Sequence, residues 1–591
     1  MNSIIGFSIH LELDPAARER QHSALLRALS YFPWLQSRSL KIGASCLQVW
    51  GHGRIDELVI ETGGGERLVI IGSPVGDISV NSFERLFRSD AAADGLTLPC
   101  DGRVTLLKVS SDGRRWTMWN DWAGSIPVFH ARVGKGRIAS TLEPVVVAAG
   151  NYSPDDFFLP GLLSLLLNGH FLGDWTLFKD MKVVPPDVAA EWEGERFSWR
   201  RLWTVKPTTE RWESGWDDLV EEMHDLFRRA IAEALKTQPA WILPLSGGLD
   251  SRLIAAVGAE TGAELHAYTY GRKDWIETIY ARQVATALQL PWRRVPIDPD
   301  HLARHTRMWL EWFGSATHCH GMYQMPFLEA VREVHLPITT GFTGDPLAGA
   351  QTAIMMSGSA DRPMLERLMD KWQCCSIEDA RRLLKAGFSD ALDAINAELG
   401  AQESAIPGSL FQRAWLIFQW NHVFGFSYYQ PMMYDYWKGV GTPFMNRSLA
   451  QFCLSLPRCA LDNRRLQKEM LRRYYPSMAL IGGTFGEVIQ KGGKYLVKQR
   501  VALKLPTQLR RGPFQEFSPD IGSNTIQTDA LQAHGEDSLW PVNEVRQRMS
   551  DWFNMDVLEQ TYDRAASGDE AAYLRLRPIQ AIARHFVHNR G

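Results

Sequence analysis

The pattern of hydrophobic and polar positions differs between the two parts of the chain. Up to about residue 205, short apolar or alternating runs such as ELVIETGG, RLVIIGSP and RVTLLKVSSDG are separated by glycine and aspartate turns. This pattern is typical of stacked antiparallel sheets. Two stretches in this part, HSALLRAL and VNSFERLFRSDAA, have helical spacing instead. We therefore predict an α+β sandwich domain over residues 1–205.

The remaining part of the chain predicts alternating helices and strands. WDDLVEEMHDLFRRAIAEAL has apolar residues at helical spacing and acidic residues near its start, which predicts a helix. The segments that follow predict helix, strand, helix, strand, helix and strand, in the order LIAAVGAE, ELHAYTYG, WIETIYARQVATAL, WRRVPID, LARHTRMWLEWF and HLPITTG. Such alternation predicts an α/β domain with a parallel sheet over residues 206–591, and a chain of 591 residues is too long for a single core.

The segment WILPLSGGLDSRLIAA predicts a strand, a loop and a helix. Adjacent glycines allow backbone dihedrals that other residues avoid, so successive N–H groups can converge on an anion. The N-terminus of the following helix favours phosphate, and serine hydroxyls add donors. The residues predicted to bind phosphate in this way are Ser246, Gly247, Gly248 and Ser251. Asp250 would repel phosphate unless a hard cation such as Mg²⁺ lay between them.

The six residues SGGLDS resemble the PP-loop of the ATP pyrophosphatase superfamily, whose members cleave ATP between the α and β phosphates to adenylate a substrate. The resemblance implies ATP and Mg²⁺ as cofactors. The alternative is an ordinary Gly-Gly turn with a capping Asp or Ser. The match in a strand–loop–helix context favours the ATP site, and the absence of a GxxxxGK[ST] run excludes the common ATPase loop.

A second motif, TGFTGDPLAG, follows the last predicted strand of the series. It resembles the SGEGADELFGG segment of asparagine synthetases, with Thr340 and Gly341 at Ser-Gly and Asp345 at the metal-binding Asp. The resemblance implies that Gly341 contacts the nucleotide and that Asp250 and Asp345 together hold Mg²⁺. Taken alone, Asp345 is better interpreted as a turn residue before Pro346, because Gly-Asp-Pro is a common turn sequence.

The helix-like segment RRLQKEMLRRYYP resembles the KxxLRxA helix of the same family. The resemblance implies that Lys468 lies at the pyrophosphate side of the site and stabilises charge on the leaving group, which makes it a catalytic residue together with Asp250 and Asp345. Without the resemblance, Lys468 is one of several cations on a solvated helix.

The first 205 residues resemble the glutamine amidotransferase domain of asparagine synthetases, through DWAGSIPVFH with RIASTLEPVVVAAG and through TLFKDMKVVPPD. The resemblance implies an Ntn-type, class II amidotransferase-like sandwich; a generic β-sandwich is the alternative. Glutamine-using members have a cysteine at position 2, where this chain has Asn2, and an amide is neither nucleophile nor base. Cys46 and Cys100 lie in strand-like runs and are interpreted as buried small residues. We expect the fold without glutaminase chemistry.

Composition limits the binding partners and the cellular compartment that we expect. A net charge of −3 gives no footprint for nucleic acid. Seven cysteines without a CxxC pair indicate a reducing compartment, and the most apolar stretch, LPGLLSLLLNGHFLG, is too short to span a bilayer. We expect a soluble cytoplasmic protein with no nucleic-acid or membrane partner.

The resemblance implies ATP-dependent amide formation, with three candidate reactions. Lasso peptide cyclases lack the amidotransferase cysteine and join a precursor peptide's α-amine to its own Asp or Glu side chain; they imply a leader-peptide protease and a leader-binding protein as partners. The other candidates are β-lactam synthetase and an ammonia-dependent asparagine synthetase. A non-enzymatic ATP-binding scaffold is a fourth possibility.

One position favours the first candidate. β-Lactam synthetases have a tyrosine, and asparagine synthetases a glutamate, three residues before the second metal-binding Asp. Here that residue is Phe342, which cannot transfer a proton. Because an α-amine titrates near 7.7 to 8.0, part of it is already neutral at cellular pH and needs no dedicated base.

Three further segments bear on the core, on the loops and on metal binding. QRAWLIFQWNHVFGFSYYQPMMYDYW is predicted to be core, with some residues lining a substrate cleft. QKGGKY is predicted to be a turn, although a mobile basic loop over phosphates is the alternative. His318 and His320 lie close in sequence, but a zinc site is improbable without a third ligand.

Overall fold

The computed structural model describes residues 2–77, 82, 99–483, 523–534 and 548–587. The helix predicted at VNSFERLFRSDAA, apart from Ser82, and the turn predicted at QKGGKY lie outside these residues.

Twelve strands of the first part form one hydrogen-bonded sheet. They are β1 Ser3–Leu11, β2 Gln36–Ile42, β3 Ser45–His52, β4 Val59–Glu61, β5 Arg67–Gly76, β6 Cys100–Val109, β7 Arg115–Asn120, β8 Phe129–Val133, β9 Gly136–Ser140, β10 Met181–Val183, β11 Val188–Glu193 and β12 Arg196–Arg201. The main order is β10-β8-β9-β1-β5-β6-β7-β11-β12, with β3 on β1, β2 on β3 and β4 on β5. The sheet is mixed, because β1 and β5 run parallel where Ile4 faces Ile71, whereas β1 pairs antiparallel with β3 and β9.

This sheet curls over an apolar core of its own. One buried cluster takes Phe7 from β1, Leu107 from β6 and Trp192 from β11, although three strands separate β1 from β11 in the sheet order. Side chains alternate between the two faces of a strand, so the other face of β1, with Ile5, packs into a second and larger cluster. The face-to-face packing agrees with the predicted sandwich, but the strands are joined in one continuous sheet.

Helices cover the sheet and form most of the second part. Those before residue 240 are Pro15–Ser30, Glu143–Gly150, Leu159–Asn168 and Trp216–Leu235. Those up to residue 405 are Leu249–Thr261, Ile276–Ala287, His301–Phe313, Met325–Ala330, Gly344–Leu347, Thr352–Met355, Met364–Trp372, Ile377–Leu383 and Phe388–Ala405. The later ones are Leu410–Phe418, Tyr429–Lys438, Arg447–Ser455, Arg458–Leu461, Arg465–Tyr474, Pro476–Ala479, Ser523–His534, Met555–Ala566 and Glu570–Val587. Among the helices of the described ranges, none is both long and apolar enough to cross a membrane.

The second part contains the predicted parallel sheet. Its strands are β13 Ala240–Pro244, β14 Glu264–Tyr270, β15 Trp292–Val295, β16 Ile338–Thr339 and β17 Val440–Gly441, in the order β15-β14-β13-β16-β17. The four pairings between neighbours are all parallel. Because β13 is the central strand, the loop that follows it lies between the carboxyl ends of β14 and β16. The predicted alternation of strands and helices is confirmed.

The two parts share buried contacts. Arg103 of β6 forms an ion pair with Asp435 at 2.5 Å, and both side chains are 1% exposed. Trp50 Nε1 donates to Tyr436 Oη at 2.8 Å, and Trp34 Nε1 donates to Tyr436 O at 2.9 Å. The larger apolar cluster likewise contains residues of both parts. The boundary at residue 205 stays a prediction.

Candidate active site

The loop after β13 is closed by its own hydroxyls. Ser246 N donates to Ser251 Oγ at 3.1 Å, the two serine Oγ atoms are 3.1 Å apart, and Gly248 N donates to Ser246 Oγ at 3.1 Å. The helix Leu249–Thr261 begins directly after Gly248, which puts Asp250 in its first turn. Ser246, Gly247, Gly248 and Ser251 therefore lie together at the carboxyl end of the central strand, where a parallel sheet binds its ligand.

The backbone conformation of Gly248 differs from the prediction. Gly248 has φ −73° and ψ 170°, an extended conformation open to other residues, so the expected unusual dihedral is wrong at this position. Its Cβ would instead lie 3.1 Å from Ser246 Oγ, closer than an ordinary contact. What Gly248 provides is space for the serine hydroxyl.

Arg252 holds the loop in position. This fully buried guanidinium donates to the carbonyl oxygens of Gly247 at 2.8 Å, Met478 at 3.0 Å, Ile481 at 2.8 Å and Gly482 at 2.6 Å. The loop is thus tied to a segment more than two hundred residues later. Sequence reasoning did not single out Arg252, although it follows the motif immediately.

The structure brings Asp250 against the second motif. A Cβ on Gly341 would lie 2.9 Å from Asp250 Cβ, and one on Gly344 would lie 2.6 Å from Asp250 Oδ1. Asp345 comes next in the short helix Gly344–Leu347, and its Oδ2 accepts from Gln351 Nε2 at 3.1 Å. Asp345 therefore lies in a single helical turn beside the site, and its role as a metal ligand stays a prediction.

The electrostatics of Asp250 reflect this proximity. Burial raises the pKa of Asp250 from 3.8 to about 6, the nearby Arg464 guanidinium opposes the shift, and the Asp345 carboxylate adds to it. Two carboxylates that repel each other in a buried site are a donor set that a hard divalent cation would stabilise. The residues present therefore fit Mg²⁺ together with nucleotide phosphates.

Two further residues contact Asp250 and were missed by sequence reasoning. Arg464 Nη2 donates to Asp250 Oδ1, and Gln467 Nε2 donates to the same oxygen at 3.4 Å. Arg464 is directed there by a kink, because Asn463 and Arg464 have φ values of 55° and 58°. The only sequence signal was the position of Arg464 four residues before Lys468.

Lys468 lies on the helix Arg465–Tyr474, one residue after Gln467. It is half-buried and lines a surface pocket with Asp462, Asn463, Arg465 and Glu469. The structure thus brings the helix of Lys468 to Asp250. The assignment of Lys468 to the pyrophosphate side stays a prediction.

The structure places three residues of the first part of the chain that the sequence analysis discussed: Asn2, Cys46 and Cys100. Asn2 Oδ1 accepts from Arg54 N at 3.2 Å. Cys100 is buried in β6, and burial raises the pKa of its thiol to about 12, so it stays a neutral thiol. Cys46 lies half-buried in β3. The interpretation as a buried small residue is confirmed for Cys100, whereas Cys46 is only partly buried.

His318 and His320 lie in buried surroundings. Their ring centroids are 6.1 Å apart, and burial lowers the pKa of both imidazoles well below 6.5. Within the described ranges, no group of three or more His, Cys, Asp or Glu side chains is arranged to hold a metal ion.

A comparison with family models gives a match in the second part of the chain. Residues 222–345 match the family model described as asparagine synthase, and this segment contains the loop, Asp250 and Asp345. The matched family is one of ATP-dependent carbon–nitrogen ligases, and the match is consistent with an enzyme. Within that class, the match supports an asparagine synthetase-like protein. No curated protein matches the chain.

Two solved structures are similar at low identity. One is the allosteric regulatory enzyme of purine biosynthesis, at 9% identity and a TM-score of 0.23. The other is glutamine phosphoribosylpyrophosphate amidotransferase from B. subtilis complexed with ADP and GMP, at 9% identity and a TM-score of 0.22. Each match covers 49% of this chain and 65% of the other, so the chain spans less than two thirds of their length.

Proposed function

We propose that this protein is an ATP-dependent macrolactam synthetase of the lasso peptide cyclase type. A side-chain carboxylate of a precursor peptide attacks the α-phosphate of ATP and pyrophosphate leaves. The peptide's N-terminal α-amine then attacks the activated carbonyl, forming the amide and releasing AMP. The observation that carries this proposal is the approach of Asp250 to the Gly341–Asp345 segment, inside the part of the chain that matches the asparagine synthase model.

Each residue of the site has a role in this reaction. The loop from Ser246 to Ser251 binds the phosphates beside a helix N-terminus, and Gly341 leaves room for Asp250. Asp250 and Asp345 would hold Mg²⁺, which would supply positive charge to the phosphate oxygens. Lys468 stabilises the negative charge that develops on the leaving pyrophosphate.

Two positions at which this chain differs from asparagine synthetases support a peptide amine as the nucleophile. Asn2 removes the source of ammonia from glutamine. Phe342 is 4% exposed and cannot accept a proton, so an amine that is already partly neutral is favoured. An N-terminal α-amine meets this requirement better than ammonium or a more basic side-chain amine. The first domain then keeps an amidotransferase-like fold without glutaminase activity.

The same proposal specifies partners and location. A precursor peptide needs its leader recognised and removed, so a leader-binding protein and a leader-peptide protease would act beside this chain. We place these steps in the cytoplasm, where ATP and a reducing environment are present.

Incubation of the purified protein with ATP, Mg²⁺ and a synthetic peptide tests the function. The peptide begins with glycine and carries an aspartate or glutamate seven to nine residues further on. We expect pyrophosphate and AMP in equal amounts and a peptide product lighter by one water, measured by mass spectrometry. Pyrophosphate release with free aspartate and ammonium but not with peptide would contradict the proposal and favour an ammonia-dependent synthetase.

A further inference from the structure

A line of polar side chains joins the strand ends on either side of the loop. Thr340 Oγ1, directly after β16, donates to Gln430 Oε1 at 3.4 Å, and Gln430 Nε2 donates to Gln324 Oε1 at 3.4 Å. Gln324 Oε1 also accepts from Tyr270 Oη, at the end of β14, at 3.2 Å and from Tyr434 Oη at 2.5 Å. We refer to these five residues as the polar arc.

The polar arc borders the nucleotide loop at both of its ends. On the β14 side, Leu245 N donates to Tyr268 O at 2.7 Å, and Thr269 Oγ1 donates to Leu245 O at 2.6 Å. On the β16 side, Thr340 precedes Gly341, which lies against Asp250. A substrate whose carboxyl reached the α-phosphate would therefore lie next to this arc.

The hydrogen bonds of the arc leave binding capacity unused. The bonds of Gln430 with Thr340 and Gln324 are 3.4 Å long, at the weak end of the range, and its half-buried side chain also interacts with the phenol of Tyr434. Gln324 is fully buried, and its Nε2 forms no hydrogen bond of normal geometry within the part of the chain that the structure describes, although its side chain interacts with the phenols of Tyr323 and Tyr429. Buried amide donors normally have partners. The arc can therefore exchange its weak internal bonds for bonds to a ligand.

The backbone that carries Gln430 is unusual. The helix Tyr429–Lys438 follows a nine-residue π-helix, Gln419–Ser427, which itself follows the helix Leu410–Phe418. π-Helices are rare and occur frequently at functional sites, because the wider turn rotates the residues that follow relative to an α-helix. Gln430 lies in the first turn of the α-helix that follows this π-helix.

The chemistry of the arc fits a neutral ligand. Its members are two amides, two phenols and one hydroxyl, and burial raises the pKa of Tyr270 and Tyr434, so both phenols stay protonated. Amides and hydroxyls both donate and accept, which complements a peptide group with its one N–H and one C=O. A free amino acid would need charged partners for both its carboxylate and its ammonium, and Glu277, a charged side chain that acts on Tyr270, would repel the carboxylate.

We propose that the polar arc is the subsite that binds an amide group of the peptide next to the carboxyl to be activated, with Gln430 as a specificity-determining residue. This inference rests on the proposed function and specifies its substrate class: a peptide whose backbone is neutral at this point. Gln430 acts on substrate binding and takes no part in bond formation.

Replacement of Gln430 tests the subsite. Gln430→Met keeps the side-chain length and removes both polar atoms, while Gln36→Met, on the exposed edge of β2, is the matched control. With the same synthetic peptide, we expect the peptide KM of Gln430→Met to rise about tenfold with a smaller change in kcat, the size of effect that loss of a hydrogen bond produces. The KM for ATP should stay unchanged. Thr340→Val, at the other end of the arc, should shift the peptide KM in the same direction.

The possible outcomes separate this inference from the function itself. A peptide KM that is unchanged in both Gln430→Met and Thr340→Val, with an active wild type, would overturn the subsite and leave the macrolactam synthetase standing. Equal rises in the KM for peptide and for ATP would also overturn it. If the wild type turned over free aspartate with ammonium but no peptide, both proposals would fall.

Discussion

At the scale of single residues, the site depends on positions where a side chain is absent. Gly341 and Gly344 allow Asp250 to approach Asp345 because a Cβ at either position would collide with Asp250. Asp250 is also held by Arg464, whose guanidinium reaches it from a kinked backbone. The carboxylates could be predicted from their motifs. Arg464 could not, since the contact spans 214 positions and depends on left-handed φ values that the sequence does not reveal.

Gly344→Ala tests this steric requirement. The added methyl would lie 2.6 Å from Asp250 Oδ1, so we expect ATP-dependent pyrophosphate release to fall by roughly tenfold or more, as misplacement within an active site does. Gly400→Ala is the matched control, since nothing lies within 4 Å of its Cβ position in the helix Phe388–Ala405. That control should keep full activity and gain about 0.5–1 kcal/mol of stability. Normal turnover by Gly344→Ala would show that Asp250 tolerates displacement.

Lys468→Ala tests the assignment at the pyrophosphate side. If Lys468 stabilises the leaving group, its loss should lower kcat by roughly a hundredfold while the calorimetric affinity for ATP changes little. Lys236→Ala, at an exposed helix end, serves as the control. Proportional losses of turnover and ATP affinity would instead make Lys468 a ground-state binding residue.

At the scale of elements, periodic segments were predictable and short ones were not. The helix Trp216–Leu235 and the strands β13, β14 and β15 occur where apolar spacing predicts them. The two-residue strand β17, Val440–Gly441, escaped prediction because so short a strand has no period. The π-helix Gln419–Ser427 escaped for another reason: its aromatic sequence predicts only burial. Tertiary packing decides both elements.

Arg252 links the loop to the residues from Met478 to Gly482, and this contact can be tested directly. Arg252→Met would leave four carbonyl oxygens without their donor, so we expect a loss on the order of 3 kcal/mol in the free energy of unfolding. The affinity for ATP should fall as well, because Gly247 is no longer held. Urea unfolding and calorimetry measure the two effects, with exposed Arg293→Met as the control. A destabilised variant that bound ATP normally would contradict the positioning role.

At the scale of the whole molecule, the two predicted domains are joined by a buried interface. The ion pair of Arg103 with Asp435, the hydrogen bonds to Tyr436 and a shared apolar cluster connect the first sheet to the helices around the site. Composition and motifs predicted two fold types in the right order. They could not predict this interface, which joins residues more than three hundred positions apart.

Buried histidines make the first domain sensitive to acid. Burial lowers the pKa of His130 from 6.5 to about 3, with Phe197 and Trp192 packed on its ring. In the unfolded chain this imidazole takes up a proton below about 6.5, whereas the folded protein does so only near 3, so stability is lost as pH falls. Between pH 7 and 5, His130 alone should cost about 2 kcal/mol of unfolding free energy. His130→Phe should flatten the profile by that amount in urea titrations, and parallel profiles would refute the assignment.

Pyrophosphate release by Asp250→Asn tests the central claim most directly. The substitution keeps the shape of the side chain and removes the charge that we propose holds Mg²⁺ together with Asp345. With ATP, Mg²⁺ and the synthetic peptide, we expect the wild type and the exposed control Asp112→Asn to release pyrophosphate and Asp250→Asn to release none. Undiminished release by Asp250→Asn would contradict the account.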